Sequence, residues 1–277
     1  MVTIAERLGH PPEARLLLVE CAGLGFCHAA NLGVFETLAA GIGRSASLMV
    51  PAPWSREAVS RYRGEDIGVC LTLNAEHERY RWGPITHAPS LLDGDGGFPR
   101  TVADVWDHAD LDEVRNECRA QIERAILWGF DVSHLDTHLD TMLLRPEFFD
   151  VYLELAVEFS LPVRLLAAEE EPNVGFPIRQ LAADEGVLFA DQYVSLPSRR
   201  SHQALVELLP ELASGLTQIT VRPACDTPEL RAIVDDWDER VADHVGAADG
   251  PGLGRAIREA GVVTVGFVAL REAMRHP

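Results

Sequence analysis

Short apolar runs, each followed by a loop and a helical pattern, recur along this chain of 277 residues. The first, at residues 15–19, is a continuous apolar strand of the type that is buried on both faces of a parallel sheet. It leads through a loop of small residues at 20–28 into a predicted helix at about 29–40. Strands that alternate with helices pair in parallel, since each helix returns the chain to the same end of the sheet. The sequence therefore predicts an α/β fold.

The rest of the chain continues this alternation. Strands are predicted at 46–50, 66–73, 132–136, 162–166, 187–194, 218–221 and 262–267, and helices at 54–63, 111–128, 147–159, 202–213, 228–245 and 252–260. Seven or eight such units predict a single domain over residues 1–277 with the architecture of a distorted, TIM-like (β/α) barrel. A doubly wound open sheet is the competing architecture.

Residues 74–110 interrupt the alternation. This segment is irregular, and long irregular segments inside a compact domain usually form a lid or a wall of a functional site. His77, Tyr80, Trp82 and His87 are the side chains that could line such a wall, although solvated loop positions are as good an explanation for each.

Composition excludes several classes of partner. A net charge of -19 argues against a nucleic-acid backbone as ligand, because such binding needs clustered Lys and Arg. The chain has no apolar run of the length that a membrane span requires, and no apolar N-terminal run of the signal-peptide type. Its five cysteines are odd in number and form no Cys-x-x-Cys pair, so we expect free thiols and a cytoplasmic location.

A group of four ionisable residues lies at 133–140, directly after a long helical pattern. His134, Asp136, His138 and Asp140 alternate with other residues, and a strand would point alternate side chains to one side. A strand that ends here would deliver the later members to its C-terminal end, where α/β folds carry their chemistry. Two histidines and two aspartates this close are hard to explain by packing, because buried charges need partners.

With these segments in place, the chain resembles the YdjC-type carbohydrate deacetylases, also called the ChbG/HpnK family, which are related to the NodB-like deacetylase barrels. The resemblance covers about residues 15–271 and rests on the first strand and its loop, the runs at 45–50 and 66–73, the segment at 161–164 and, most specifically, the His134-Leu135-Asp136-Thr137-His138 signature. It implies a distorted barrel whose divalent-metal site, an Asp and two His with a neighbouring carboxylate base, activates water for attack on an acetamide. It also suggests a homodimer.

The sequence departs from that family at the positions that hold the metal. The resemblance aligns the usual Asp-Asp pair with Ala22-Gly23, a metal-binding His with Cys70, and the His of a His-Pro dipeptide with Arg222. A catalytic zinc needs about three protein ligands. We therefore expect that no metal or other cofactor is bound. The open alternative is a rebuilt site for zinc or another divalent metal from Cys70, His138 and Glu20, or Cys21 in place of Glu20, if the loops that carry the cysteines converge on one cavity.

Three functions remain open at this point. The first is a repurposed enzyme that acts without metal on a small polar, acylated or anionic substrate. In it His138 is the acid or base, Asp136 or Asp140 orients its ring, and Cys70 is a nucleophile. The second is a metal-dependent N-acetyl or amide hydrolase with the rebuilt zinc site. The third is a non-catalytic ligand-binding relative.

We favour the repurposed enzyme, because Cys and Arg at the changed positions leave a reactive, charged pocket. Arg222 would grip an anionic group, with His134, Glu20 and Arg164 as further substrate-binding residues. For Arg164, a structural ion pair with Asp191 is the more ordinary expectation.

Overall fold

The computed structural model describes residues 2–196, 201–248 and 250–276. Its strands are β1 (Arg15–Leu24), β2 (Ser45–Leu48), β3 (Ile67–Leu71), β4 (Leu135–Thr137), β5 (Gln192–Val194), β6 (Gly215–Val221) and β7 (Val262–Thr264). All pair in parallel in one sheet of order β4-β3-β2-β1-β6-β5, with β7 beside the first half of β1. The sheet curls into a half-barrel. This confirms the predicted distorted barrel and rules out the open doubly wound alternative.

Helices cover the outside of the sheet. They are α1 (Ile4–Arg7), α2 (His28–Ala39), α3 (Ser55–Arg61), α4 (Val102–His108), α5 (Leu111–Leu127), α6 (Pro146–Phe159), α7 (Glu171–Val174), α8 (Ile178–Asp184), α9 (Ser201–Leu208), α10 (Pro228–Ile233), α11 (Trp237–Ala248), α12 (Gly250–Glu259) and α13 (Phe267–Arg275). In the described ranges no helix is both long and apolar enough to cross a membrane.

Strand β1 is the centre of the sheet and is longer than the apolar run predicted. Its first half pairs with β6 and β7, and its second half with β6 and β2. Glu20 and Cys21, which the sequence assigned to the following loop, remain paired with Thr220 and Val221 of β6. The Glu20 carboxylate can be buried inside the barrel because it has hydrogen-bond partners there.

The flank between β4 and β5 is less regular than predicted. The strand expected at 162–166 is reduced to an isolated bridge between Val163 and Leu135. On its other side, the Val163 amide donates to the carbonyl of Leu188 at 2.9 Å. Of the strand predicted at 187–194, only Gln192–Val194 forms a ladder. The segment at 74–110, predicted to be irregular, contains a 3₁₀ turn at Pro89–Leu91 and helix α4.

Candidate functional site

A cavity of about 220 Å³ opens at the C-terminal ends of the strands. This is the end of a parallel barrel at which side chains from several strands converge. The residues that line it are Ala22, Gly23, Phe26, Met49, Cys70, Glu76, Asp136, Thr137, His138, Leu139, Asp140, Arg164, Tyr193, Thr220, Arg222 and Arg240. Six of the predicted site residues therefore face one cavity: Cys70, Asp136, His138, Asp140, Arg164 and Arg222.

His138 forms a hydrogen-bonded pair with Glu76. His138 Nε2 lies 2.9 Å from Glu76 Oε2, and His77 Nε2 lies 3.3 Å from the other carboxylate oxygen. Burial favours the neutral form of Glu76, but the hydrogen bonds from His138 and His77 outweigh it and hold the pKa of Glu76 far below its ordinary value. The carboxylate is therefore ionised at neutral pH and can only accept. Because an ionised carboxylate can only accept, Nε2 of His138 donates its proton to Glu76, and Nδ1 is the ring nitrogen that this contact leaves available.

Glu76 was not among the predicted site residues. It lies five residues after the end of β3, at the start of the irregular segment. A signal was present, because the sequence already marked that segment as a possible wall. Of the wall candidates, His77 and Trp82 pack against Phe26 of the cavity, with ring centroids 5.3 and 5.9 Å away, and the Tyr80 hydroxyl donates to the Phe26 carbonyl at 2.6 Å. His87 is exposed.

Arg164 joins Asp136 and Asp140. Its Nε donates to Asp136 Oδ1 in a short contact, and its Nη2 donates to Asp140 Oδ1 at 2.5 Å and to the Thr137 carbonyl at 3.1 Å. The expected pairing of Arg164 with Asp191 was wrong, because Asp191 instead accepts the Leu216 amide at 2.7 Å.

The charged side chains of this cluster stabilise one another's ionised forms. Burial would lower the pKa of Arg164, but the two carboxylates raise it well above its ordinary value, so the guanidinium stays charged. Burial raises the pKa of Asp136, and the charge of Arg164 opposes that rise. Asp136 Oδ1 also accepts the Thr137 amide at 2.7 Å. Neither aspartate contacts His138 through a hydrogen bond in the described part of the chain, so the ring partner is Glu76 and not Asp136 or Asp140.

The backbone beside this cluster has an unusual conformation. Leu139 and Asp140 both have left-handed φ angles, 53° and 55°. For residues with a Cβ this conformation costs roughly 1 to 2 kcal/mol each. The turn brings the Asp140 carboxylate onto Arg164, while the Leu139 side chain is largely exposed.

Cys70 lies at the base of the cavity, next to Asp136 in the sheet register. Burial, together with the charges of Asp136 and Glu20, raises the pKa of its thiol well above the ordinary value. A thiol in this state is a poor nucleophile, because the reactive form is the thiolate. In the described part of the chain no hydrogen bond joins the Cys70 thiol to His138, whose Nε2 faces Glu76.

Glu20 and His134 lie beneath the cavity and do not line it. Both side chains are fully buried, and His134 Nε2 is 3.3 Å from Glu20 Oε1. The other nitrogen of His134 is 2.9 Å from Ser133 Oγ, and its ring stacks on Phe267 at 3.7 Å. Gln218 donates to the second oxygen of Glu20 at 2.8 Å. This saturated network inside the barrel corrects the expectation that the two residues contact substrate.

Two arginines face the cavity from the other side. Arg222 is 45% exposed and its Nη1 lies 2.9 Å from Asp236 Oδ2. Its main-chain amide donates to Asp243 at 2.7 Å, which fixes the start of the loop after β6. Arg240 donates to Asp236 at 2.9 Å and stacks over Phe26 at 5.2 Å. Arg222 therefore keeps a half-exposed cationic face at the mouth of the cavity.

The cavity does not bring together a set of metal ligands. Among the described residues, the group of three or more His, Cys, Asp or Glu side chains with all ligand atoms within 4.8 Å of one another is Glu36, Cys225 and His244, outside the cavity. Glu20, Cys70 and His138 are not such a group, because Glu20 points to His134. Nor do the cysteines converge, since Cys21 is in the core, Cys27 caps α2 and Cys225 lies beside Glu36. Among the described residues, the rebuilt site of Cys70, His138 and Glu20 is therefore not assembled in this structure.

Comparisons with known proteins agree with the fold. A sequence model of a family described as YdjC-like protein matches residues 16–250. A carbohydrate deacetylase of Thermus thermophilus is 35% identical over 280 residues, which covers 98% of this chain and 99% of that protein. A carbohydrate deacetylase of Thermoanaerobacter pseudethanolicus is 26% identical over 78% of this chain and 84% of its own length.

A solved structure is also similar. A crystal structure from Enterococcus faecalis V583, described provisionally as a cellobiose-phosphate cleavage protein, superposes with a TM-score of 0.81. The match covers 93% of this chain and 99% of that one, at 23% identity. At this identity the likeness bears on the fold.

Proposed function

Because this chain belongs to the YdjC-like family and is homologous to carbohydrate deacetylases, we propose that it binds an acylated carbohydrate in the cavity and hydrolyses the acyl group. The single observation that carries the proposal is the His138–Glu76 pair, a base with an oriented ring at the mouth of a polar cavity. The proposal keeps the hydrolytic chemistry of the relatives but assigns the proton transfers to this chain's own residues.

His138 is the proposed general base. Glu76 holds the Nε2 proton, so Nδ1 can take a proton from an attacking water molecule and later give it to the leaving amine or alcohol. The ionised Glu76 stabilises the imidazolium that forms between these two steps, as a buried carboxylate does in other His-dependent hydrolases. General catalysis of this type contributes roughly 10²- to 10⁴-fold to a rate.

Arg222 is the proposed binding residue for negative charge. Its partly exposed guanidinium can donate two parallel hydrogen bonds to a carboxylate or phosphate on the sugar, or to the oxyanion of the tetrahedral intermediate. Arg164 is fully engaged by its two carboxylates, so we assign it the role of holding the turn at 138–140 in place.

We assign no step to a metal ion, since the side chains that face the cavity do not supply three converging ligands. A second candidate function is carbohydrate binding without turnover. It is favoured by the pairing of Asp136 with Arg164, which occupies a carboxylate that the sequence assigned to orienting His138.

The test measures acetate release and binding together. The purified protein is incubated with mono- and disaccharides that carry acetamido or O-acetyl groups, in parallel with and without a chelator and with added divalent metal. We expect acetate release from at least one sugar, a loss of about 100-fold or more in His138→Gln, and a smaller loss in Glu76→Gln. His108→Gln, an exposed histidine of α4 remote from the cavity, is the matched control.

The outcomes separate the alternatives. Turnover that survives the chelator and depends on His138 supports the proposed chemistry. Turnover that disappears with the chelator and returns with metal would replace it by the metal-dependent alternative. Sugar binding by calorimetry with no acetate release supports the binding protein, and neither binding nor release would reject a carbohydrate role for the cavity.

A further inference from the structure

A second group of potential ligands lies on the outer side of α2, away from the cavity. Glu36 of α2, His244 of α11 and Cys225 in the loop after β6 come together there. His244 Nε2 is 2.7 Å from Glu36 Oε2. Cys225 Sγ is 3.9 Å from the same carboxylate oxygen, and it is 3.9 Å from Nδ1 and 4.0 Å from Nε2 of His244. A surface His–Glu pair is common in proteins. The thiol of Cys225 close to both members of this pair is an additional feature, and it suggests a metal site.

These separations suit a tetrahedral zinc ion. Zinc bond lengths of about 2.3 Å to sulfur and about 2.0 to 2.1 Å to nitrogen and oxygen place the ligands of a tetrahedral site roughly 3.4 to 3.6 Å apart. The two distances to sulfur exceed that range by about 0.3 to 0.4 Å, and the distance from Glu36 to His244 must lengthen by about 0.7 Å. Glu36 can move, because its side chain is 58% exposed. A thiolate, a carboxylate and a neutral imidazole also balance the two charges of the ion, and one position stays open for water.

The backbone holds the thiol in place. The Cys225 amide donates to the Ala29 carbonyl of α2 at 3.0 Å, and the preceding Ala224 amide donates to the Arg240 carbonyl of α11 at 3.1 Å. The loop is thus fastened to both helices that carry the other two ligands. Gly33 permits this contact, since a Cβ there would lie 2.6 Å from the Cα of Ala224. Such fixed geometry is what distinguishes a binding site from a chance cluster.

We propose that Glu36, Cys225 and His244 form a zinc site that joins α2, α11 and the loop after β6. A mixed sulfur, nitrogen and oxygen set selects zinc over magnesium or calcium, which take oxygen ligands. The site lies outside the cavity, so its occupancy is independent of the proposed hydrolysis and either proposal can fail alone.

The experiment uses the reduced full-length protein, stripped of metal with a chelator and titrated with zinc against a chromophoric indicator. We expect one site per chain with a dissociation constant at or below about 1 μM. Cys225→Ser and His244→Gln should each weaken binding at least about 10-fold, the lower end of the loss seen when ligand support is removed. Cobalt in place of zinc should give a thiolate charge-transfer band that Cys225→Ser abolishes.

Control variants test whether the zinc ion binds at the proposed site and not in the cavity. Cys70→Ser and His138→Gln, which change the cavity, should leave zinc stoichiometry and affinity unchanged, as should His108→Gln. Zinc should also raise the melting temperature of the unmodified chain but not that of Cys225→Ser, whose circular dichroism spectrum verifies folding. Binding that is absent, unaffected by Cys225→Ser and His244→Gln, or lost in Cys70→Ser or His138→Gln would overturn the proposal.

Discussion

Replacing Arg164 tests the charge balance at the base of the cavity. The side chains of Arg164 and Asp136 are only 6% and 7% exposed, so Arg164→Met leaves a buried carboxylate without its cation. Breaking a buried ion pair by removing one partner costs roughly 3 to 5 kcal/mol, far more than the pair itself contributes. Asp140 is 39% exposed, and water replaces the lost cation there at little cost. We therefore attribute nearly the whole loss of unfolding free energy to Asp136.

The loss should depend on pH. With Arg164 gone, burial and the charge of Glu20 both raise the pKa of Asp136, so its folded pKa lies above the unfolded value of about 3.9. A carboxyl with a raised folded pKa binds more protons in the folded state, so the folded state loses relative stability as pH rises from the unfolded pKa through the folded one. The deficit of Arg164→Met relative to the unmodified protein should be smaller at pH 5.5 than at pH 8.

The assay is urea unfolding followed by circular dichroism at both pH values. The double variant Arg164→Met/Asp136→Asn should recover more than half of the loss, because no charge is left buried. Asp140→Asn, the matched control, should cost less than about 1 kcal/mol. An equal deficit at both pH values, with no recovery in the double variant, would refute the attribution to an uncompensated Asp136 charge.

Three further predictions follow from backbone and packing geometry. Gly33→Ala should lower the unfolding free energy by about 1 to 3 kcal/mol, since its Cβ meets the backbone of Ala224; an unchanged urea midpoint would contradict this close approach. Leu139→Val should lower the free energy of unfolding by about 1 to 2 kcal/mol, and Leu139→Gly should lower it less, because glycine adopts a φ of 53° without strain. Equal losses would show that the backbone of this turn is not strained. Cys70 should resist iodoacetamide in the folded protein and Cys225 should react faster, because burial raises the pKa of both thiols but only Cys225 is partly exposed. Peptide mass spectrometry measures the labelling, and rapid labelling of Cys70 would mean an activated thiol.

The sequence predicted the fold well because its signals are local. Apolar runs and helical periods depend on neighbours within one element, and the order of strands and helices follows from them. The predicted strand boundaries were wrong where they depend on pairing with residues distant in the sequence. Residues 162–166 and 187–191 have strand-like composition but form only isolated contacts, and Glu20 extends β1 because Thr220 pairs opposite it.

The candidate site could be predicted in part. The alternation at 134–138 indicated chemistry at a strand end, and the structure places Asp136, His138 and Asp140 at one cavity. The partners of these residues could not be inferred, since Glu76 is 62 residues from His138 and Arg164 is 28 residues from Asp136. The spacing of these residues in the sequence also does not reveal that His134 and Glu20 pair with each other in the core, beneath the cavity.

Three backbone hydrogen bonds join β4, residues 162–164 and Leu188, and this short connection is a seam in the half-barrel. Most of the paired residues of the sheet belong to the ladders of β1. The seam has few backbone hydrogen bonds, so it can open locally when only those bonds break. We therefore expect a change of loop length near the seam to alter the cavity mouth beside Arg164 more than it alters the central strands. The molecule thus separates the part that keeps it folded from the part that can be remodelled for ligands of different size, and amide hydrogen exchange at Val163 should be faster than at Val19.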